Sequence, residues 1–329
     1  MASTSLFAQS PDKPNVLIIT TGGTIASRTD APLVEGPQLV QAVPEIGEVA
    51  NITVEEFVRV GSSKMTPDLW LQLVKLLNDR ITSEADLQGI VITHGTDTME
   101  ETAFFLHCTH RHDVPIVLVG SMRSSNMISA DGPANLLDAV RVAVEPESVG
   151  IGVLVVMNDN ISAGRDLRKS HNTRVDAFVP TDKGYLGAID GSSVTYFRRP
   201  LKKHTVNSDF DVYALEQLPE VDIVQDFAGL DSNILDYYLS RPNQGLVVSS
   251  FAGGRMSHGM DSLFDLAKDS KPVVVASSVR GGTILRRPEG DSPLAVANDL
   301  PANKARILLM LALTQTRDPK KIQQLFDQY

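Results

Sequence analysis

The stretch Asn15-Val16-Leu17-Ile18-Ile19-Thr20-Thr21-Gly22-Gly23-Thr24-Ile25-Ala26 decides the fold. An apolar run too short for a helix ends in hydroxyl residues and a glycine pair, which is how a strand buried on both faces of a parallel sheet reads. The pattern recurs. Further strands are expected at Gly89–Thr93, Pro115–Gly120 and Gly152–Met157, then at Gly245–Ser250 and Pro272–Ser277. Between them, Pro67–Asn78, Met99–His110, Gly132–Val144, Asp261–Ala267 and Ala302–Thr314 space their apolar residues as helices packed on a sheet. Strands alternating with helices give an α/β fold. Near Arg198–Pro219 the chain turns basic and loses its apolar period. The expected organisation is therefore a larger N-terminal parallel-sheet α/β domain over 1–197, a linker over 198–220, and a smaller C-terminal α/β domain over 221–329.

Composition removes several classes of function. The 329 residues carry 30 Lys+Arg against 40 Asp+Glu, a net charge of −10 with no basic run, so little is available to neutralise phosphates and nucleic acid is not an expected partner. Nor is a membrane, because no stretch approaches about 18 uninterrupted apolar residues. The longest runs, such as Ile307–Leu313, have the length of a strand or a single helix. Cys108 is the sole cysteine, which rules out an internal disulfide or a multi-cysteine metal site. The seven histidines form no H-E-x-x-H motif, so no metal is expected. No serine sits in a G-x-S-x-G elbow, which argues against an α/β-hydrolase. The segment Met1–Lys13 is polar and lacks the basic and apolar regions of a working secretory signal.

In open parallel sheets ligands bind at the carboxyl ends of strands, which directs attention to three segments. The first is the Gly22-Gly23-Thr24 turn, readable either as a tight strand-to-loop turn or as a close backbone approach to a ligand. The second is Thr93-His94-Gly95-Thr96-Asp97-Thr98. Here Asp97 or Thr98 would cap the helix that begins at Met99, with Glu100 and Glu101 opposing its dipole. A helix start with free N–H groups also suits a carboxylate or a developing oxyanion. His94 beside this turn reads as a buried, hydrogen-bonded structural group. The third segment is Gly120-Ser121-Met122-Arg123. A threonine hydroxyl needs a base to become a nucleophile, and Lys169, kept neutral and oriented by a carboxylate, is the candidate, although a lone lysine more often belongs to the solvated surface.

Together the two threonine segments carry a resemblance. The chain resembles the bacterial-type L-asparaginases, in particular the type II and glutaminase-asparaginase group, from Pro14 to Tyr329. The likeness rests on Thr21–Ala26, Ile92–Thr98, Ser129-Ala130-Asp131-Gly132 with Asn135-Leu136, Asn158-Asp159, Gly164-Arg165-Asp166 and Lys304–Leu308. It implies hydrolysis of L-asparagine to L-aspartate and ammonia through a threonine acyl-enzyme, with L-glutaminase side activity and no cofactor. By motif position Thr24 is similar to the family's primary nucleophile, and Thr96, Asp97 and Lys169 to its second triad. Ser62, Ser63, Gly95, Thr96, Asp97 and Ser121 fall where the family binds substrate. Glu289 falls where a neighbouring subunit's glutamate reaches the site. The resemblance further implies a homotetramer, with the neighbour's C-terminal domain closing each site, and a periplasmic or secreted location, with the cytoplasm as the alternative.

Three departures stand beside this likeness. The loop Ser27–Leu33 is shorter than the family's flap and lacks its tyrosine; Ser63 replaces a larger Gln or Glu; and Ala252-Gly253-Gly254 stands where Gly-Asn-Gly is usual. Two other readings follow from them and from the shared fold: an amidotransferase-type ammonia-producing subunit, and a non-catalytic amino-acid-binding protein that has lost the flap tyrosine.

Overall fold

The computed structural model describes residues 4–23, 35–260, 262, 263, 267, 271–285 and 292–329. They form two compact units, Met1–Ala214 and Leu215–Tyr329. The first unit begins with β1 (Thr4–Ser5), β2 (Asn15–Gly22), α1 (Gly36–Gln41), α2 (Ile46–Val49) and β3 (Asn51–Val60). It continues through α3 (Pro67–Ser83), β4 (Leu87–Thr93), α4 (Met99–Thr109), β5 (Ile116–Val119), α5 (Gly132–Val144) and β6 (Val153–Met157). Five short strands follow: β7 (Asn160–Ala163), β8 (Leu167–Lys169), β9 (Phe178–Pro180), β10 (Gly187–Asp190) and β11 (Ser193–Tyr196). The strands and helices expected in this unit are present, with α3 running one turn further than its apolar pattern.

Nine strands make one sheet in the order β1-β3-β2-β4-β5-β6-β7-β10-β11. The five from β3 to β6 in that order are parallel, and the strands outside them pair antiparallel. The chain leaves β2 for β3 on one side and then crosses to β4 on the other. This reversal puts a crevice at the carboxyl ends of β2 and β4, where open sheets bind ligands. One sheet face carries Val16, Ile18, Ile52, Val91 and Val117 in a cluster with Leu136 and Val140 of α5. Leu17, Ile19, Ile90, Ile92 and Leu118 alternate with them and are equally buried, so both faces are covered and the strands read as continuous apolar runs. On α3 and α4, Trp70 and Phe105 stack with ring centroids 5.5 Å apart. Helix α3 starts at Thr66, whose hydroxyl accepts from Leu69 N–H, with Pro67 in the first turn.

In the second unit, β12 (Val221–Gln225), α6 (Asn233–Ser240), β13 (Gly245–Ser250), β14 (Val273–Ser277), β15 (Leu294–Val296), α7 (Ala302–Ala312) and α8 (Pro319–Gln328) follow in order. The four strands form a parallel sheet in sequence order, with a core that includes Val224, Leu235, Leu246, Val248 and Val273. The helix expected over Asp261–Ala267 lies largely outside the described residues. The stretch read as a linker is folded over much of its length. His204, Thr205, Ser208, Phe210 and Val212 are buried, and the Ser208 hydroxyl donates to the Cys108 carbonyl of α4.

Candidate active site

The glycine pair closing β2 has a steric reason. Gly22 and Gly23 have φ of 95° and 86°, and a Cβ on Gly23 would stand 2.3 Å from Gly95 Cα. Two strand-end turns therefore meet backbone to backbone, with nothing larger than hydrogen between them. A third turn joins them after β3, since a Cβ on Gly95 would meet Ser62 Oγ at 2.6 Å. Ser62 Oγ accepts from Asp97 N–H at 3.1 Å, and the Thr98 hydroxyl donates to Ser62 O at 2.8 Å. Thr98 holds the N-cap position of α4, but its hydroxyl is committed to Ser62, and neither it nor Asp97 supplies the expected side-chain cap.

Thr96 is buried, and its Oγ1 lies 2.8 Å from Lys169 Nζ, which also reaches Asp97 Oδ1 at 3.0 Å. The lysine comes from the β8–β9 hairpin, 73 residues further along the chain. Its backbone N–H donates to Glu100 Oε2 at 3.0 Å, so the first turn of α4 holds the strand that presents the amine. Asp97 has 64% of its side chain exposed.

Ser121 is fully buried with its hydroxyl donating to Arg123 O at 2.8 Å. The turn that follows β5 is held by Asp131, whose carboxylate accepts from Met122 N–H at 2.9 Å and Arg123 N–H at 2.9 Å. Asn135 ties Gly120 O to Asp131 and accepts from Asn158 N–H. The sequence reading gave these two residues no role, although both stand in its quoted motifs. Ser63 is exposed beside Ser62. Thr24, the flap segment Ser27–Leu33 and Glu289 lie outside the described residues. In the second unit Ala252-Gly253-Gly254 forms a turn after β13 with Gly253 and Gly254 at φ of 67° and 79°.

His94 is fully buried and hydrogen-bonded, in keeping with its structural reading. Nδ1 lies 2.7 Å from Gly95 O and Nε2 lies 2.9 Å from Thr102 Oγ1, which in turn accepts from Trp70 Nε1 at 2.9 Å. Burial lowers its pKa to about 4, so the ring is neutral near pH 7. Among the described residues no group of His, Cys, Asp and Glu side chains is placed to hold a metal ion.

Two family models together span nearly the whole chain. An "Asparaginase, N-terminal" model matches residues 15–202 and a "Glutaminase/Asparaginase C-terminal domain" model matches residues 220–326. The chain belongs to the asparaginase family. Among its relatives, the "Probable L-asparaginase periplasmic" of Haemophilus influenzae is 42% identical, covering 98% of this chain and 95% of that one. The "Glutaminase-asparaginase" of Pseudomonas fluorescens is 37% identical over 96% of this chain and 90% of its own. A solved structure of a probable cytoplasmic L-asparaginase from Campylobacter jejuni has a TM-score of 0.92 at 40% identity, covering 96% of this chain and 100% of that chain. No helix among the described residues is long and apolar enough to cross a membrane.

Proposed function

We propose that this chain is an L-asparaginase, hydrolysing the side-chain amide of L-asparagine to L-aspartate and ammonia. The observation that carries this reading is the Lys169–Thr96 contact at 2.8 Å, with Asp97 on the same amine. A base oriented by a carboxylate against a buried hydroxyl is the arrangement that activates a threonine. In the proposed course Thr24 Oγ attacks the amide carbon and the carbonyl oxygen becomes an oxyanion facing backbone N–H groups near Thr96. Collapse expels ammonia, whose nitrogen takes up the proton that Thr24 Oγ gives up in the attack, and leaves a β-acyl-threonine ester. Water then adds to the ester, the Thr96–Lys169–Asp97 group receiving its proton, and L-aspartate departs with the Thr24 hydroxyl restored.

Substrate recognition follows the same turns. Asp97 Oδ2 would pair with the substrate ammonium and Ser62 would face its α-carboxylate. Ser63, short and exposed, shortens one contact at that end, which supports L-glutamine as a side substrate. Assembly into a homotetramer is part of the proposal, with Glu289 of a neighbouring subunit reaching the site. Phe227, Phe251, Val279 and Leu285 are exposed in the second unit beyond the ends of its strands, and such a set suits burial against another copy. Export to the periplasm is the location that the type II resemblance favours, and cell fractionation tests it.

Ammonia release from L-asparagine, L-glutamine and D-asparagine, measured for the native chain, Thr96→Val and Lys169→Met, tests the chemistry. Turnover of L-asparagine that each variant lowers by about a thousandfold or more, with its fold intact, is expected. Binding of L-asparagine without turnover would replace the enzyme by a binding protein. Light scattering tests the assembly against four times the chain mass of 35.7 kDa.

A further inference from the structure

We infer that His94 is a positioning residue for the proposed reaction: by donating Nδ1–H to Gly95 O it fixes the peptide whose other end is the Thr96 N–H, a donor to the developing oxyanion. This rests on the hydrolytic reading above and adds to it a residue that touches no substrate.

The direction of every bond in the chain is set by elementary chemistry. The Trp70 indole N–H only donates, so Thr102 Oγ1 accepts from it at 2.9 Å. The single hydroxyl proton of Thr102 then points to His94 Nε2, 2.9 Å away. Gly95 O is a carbonyl and only accepts, so Nδ1 carries the ring proton. The tautomer is thus determined from both sides. Trp70, Thr102 and His94 are all buried, and water does not compete for these bonds. The Gly95–Thr96 peptide is trans, so its N–H points opposite to its C=O. A clamp on the carbonyl therefore aims the N–H. Among the described residues the Thr96 N–H has no acceptor, although the residue is buried, and a buried N–H is normally paired. It stands beside the Thr96 hydroxyl and Lys169, where the substrate carbonyl must come. Preorganised donors act by costing no reorganisation when charge develops, and a loose peptide would forfeit that advantage.

The test compares the native chain with His94→Leu and His94→Asn, reading kcat and KM for L-asparagine with melting temperatures alongside. Asparagine at this position keeps an N–H near the place of Nδ1. His94→Leu is expected to lower kcat about fivefold to tenfold, the effect of one hydrogen bond, with KM changed by less than about twofold. His94→Asn is expected to recover most of that loss. In histidine-15N-labelled native protein, His94 should show a protonated Nδ1 and an unprotonated Nε2 from pH 6 to 9. An inactive native chain would defeat the hydrolytic reading, and with it this role. If the native chain turns over L-asparagine, unchanged kcat in His94→Leu overturns the inference. So does a loss that His94→Asn fails to reduce, or an Nε2-protonated ring. The NMR readout needs no variant, so a misfolded His94→Leu leaves a decisive measurement in place.

Discussion

Gly95 is constrained by space alone. It is absent from the positive-φ residues, yet a methyl there would stand 2.6 Å from Ser62 Oγ and 3.0 Å from Gly23 Cα. Ser62 is the acceptor for Asp97 N–H, so the methyl would push apart the turns that carry the proposed ammonium and carboxylate contacts. Gly95→Ala is expected to destabilise the chain by about 1–3 kcal/mol. It should also lower kcat/KM by about a hundredfold, through a raised KM as well as a reduced kcat; steady-state kinetics with a urea titration checks both. The residue types at this point were legible. A glycine beside a threonine and an aspartate at a strand end marks a site, but which backbone presses on the glycine is decided by a turn more than 70 residues away.

At the scale of elements, α5 lends its N-cap residue to the neighbouring turn. Asp131 occupies the N-cap position without a capping bond, and its carboxylate instead accepts the N–H groups of Met122 and Arg123. Asp131→Ala would remove the bonds that a half-buried carboxylate accepts from Met122 N–H, Arg123 N–H and Asn135 Nδ2, an expected cost of about 1–3 kcal/mol. The freed turn carries Ser121, so KM for L-asparagine should rise several-fold, with partial recovery in Asp131→Asn. Urea midpoints and initial rates test this pair. Elements differed in how plainly the sequence announced them. Helix α8 was available, since Asp318 followed by Pro319 starts an amphipathic run and Asp318 does accept from Lys320 N–H. Strand β3 was not. Glu55 and Glu56 interrupt its apolar pattern, and Glu55 is buried only because Arg80 of α3 bonds it at 2.7 and 2.9 Å. Strands of three or four residues, such as β8, are too short to display a period.

For the molecule as a whole, two buried histidines set a pH dependence. Desolvation by burial lowers His94 to about 4 and His110 to about 3, the latter with a smaller push from His112. In the unfolded chain both would titrate near 6.5. Between those values the unfolded state binds protons that the folded state refuses, so stability is full above pH 6.5 and falls as pH drops toward 4. His94 alone accounts for up to about 3 kcal/mol of that fall. Both residues lie in the first unit, as does Trp70, the only tryptophan. Its fluorescence during urea unfolding should report a midpoint that declines steadily from pH 7 to pH 5. A flat midpoint would mean that the two rings are solvated.

The sequence by itself determined the α/β class, most of the central strands and the helices around them, and the strand-end positions of its glycine, threonine and aspartate motifs. Local periodicity and turn chemistry suffice for these, because they act over a few residues. Only the tertiary structure decided that Lys169 meets Thr96, that three turns share one point at Gly95, and that Trp70 and Thr102 hold the ring of His94. Such contacts join residues that neither period nor spacing connects. They exist because a twisted sheet gathers the carboxyl ends of its strands and close packing fixes which side chains touch.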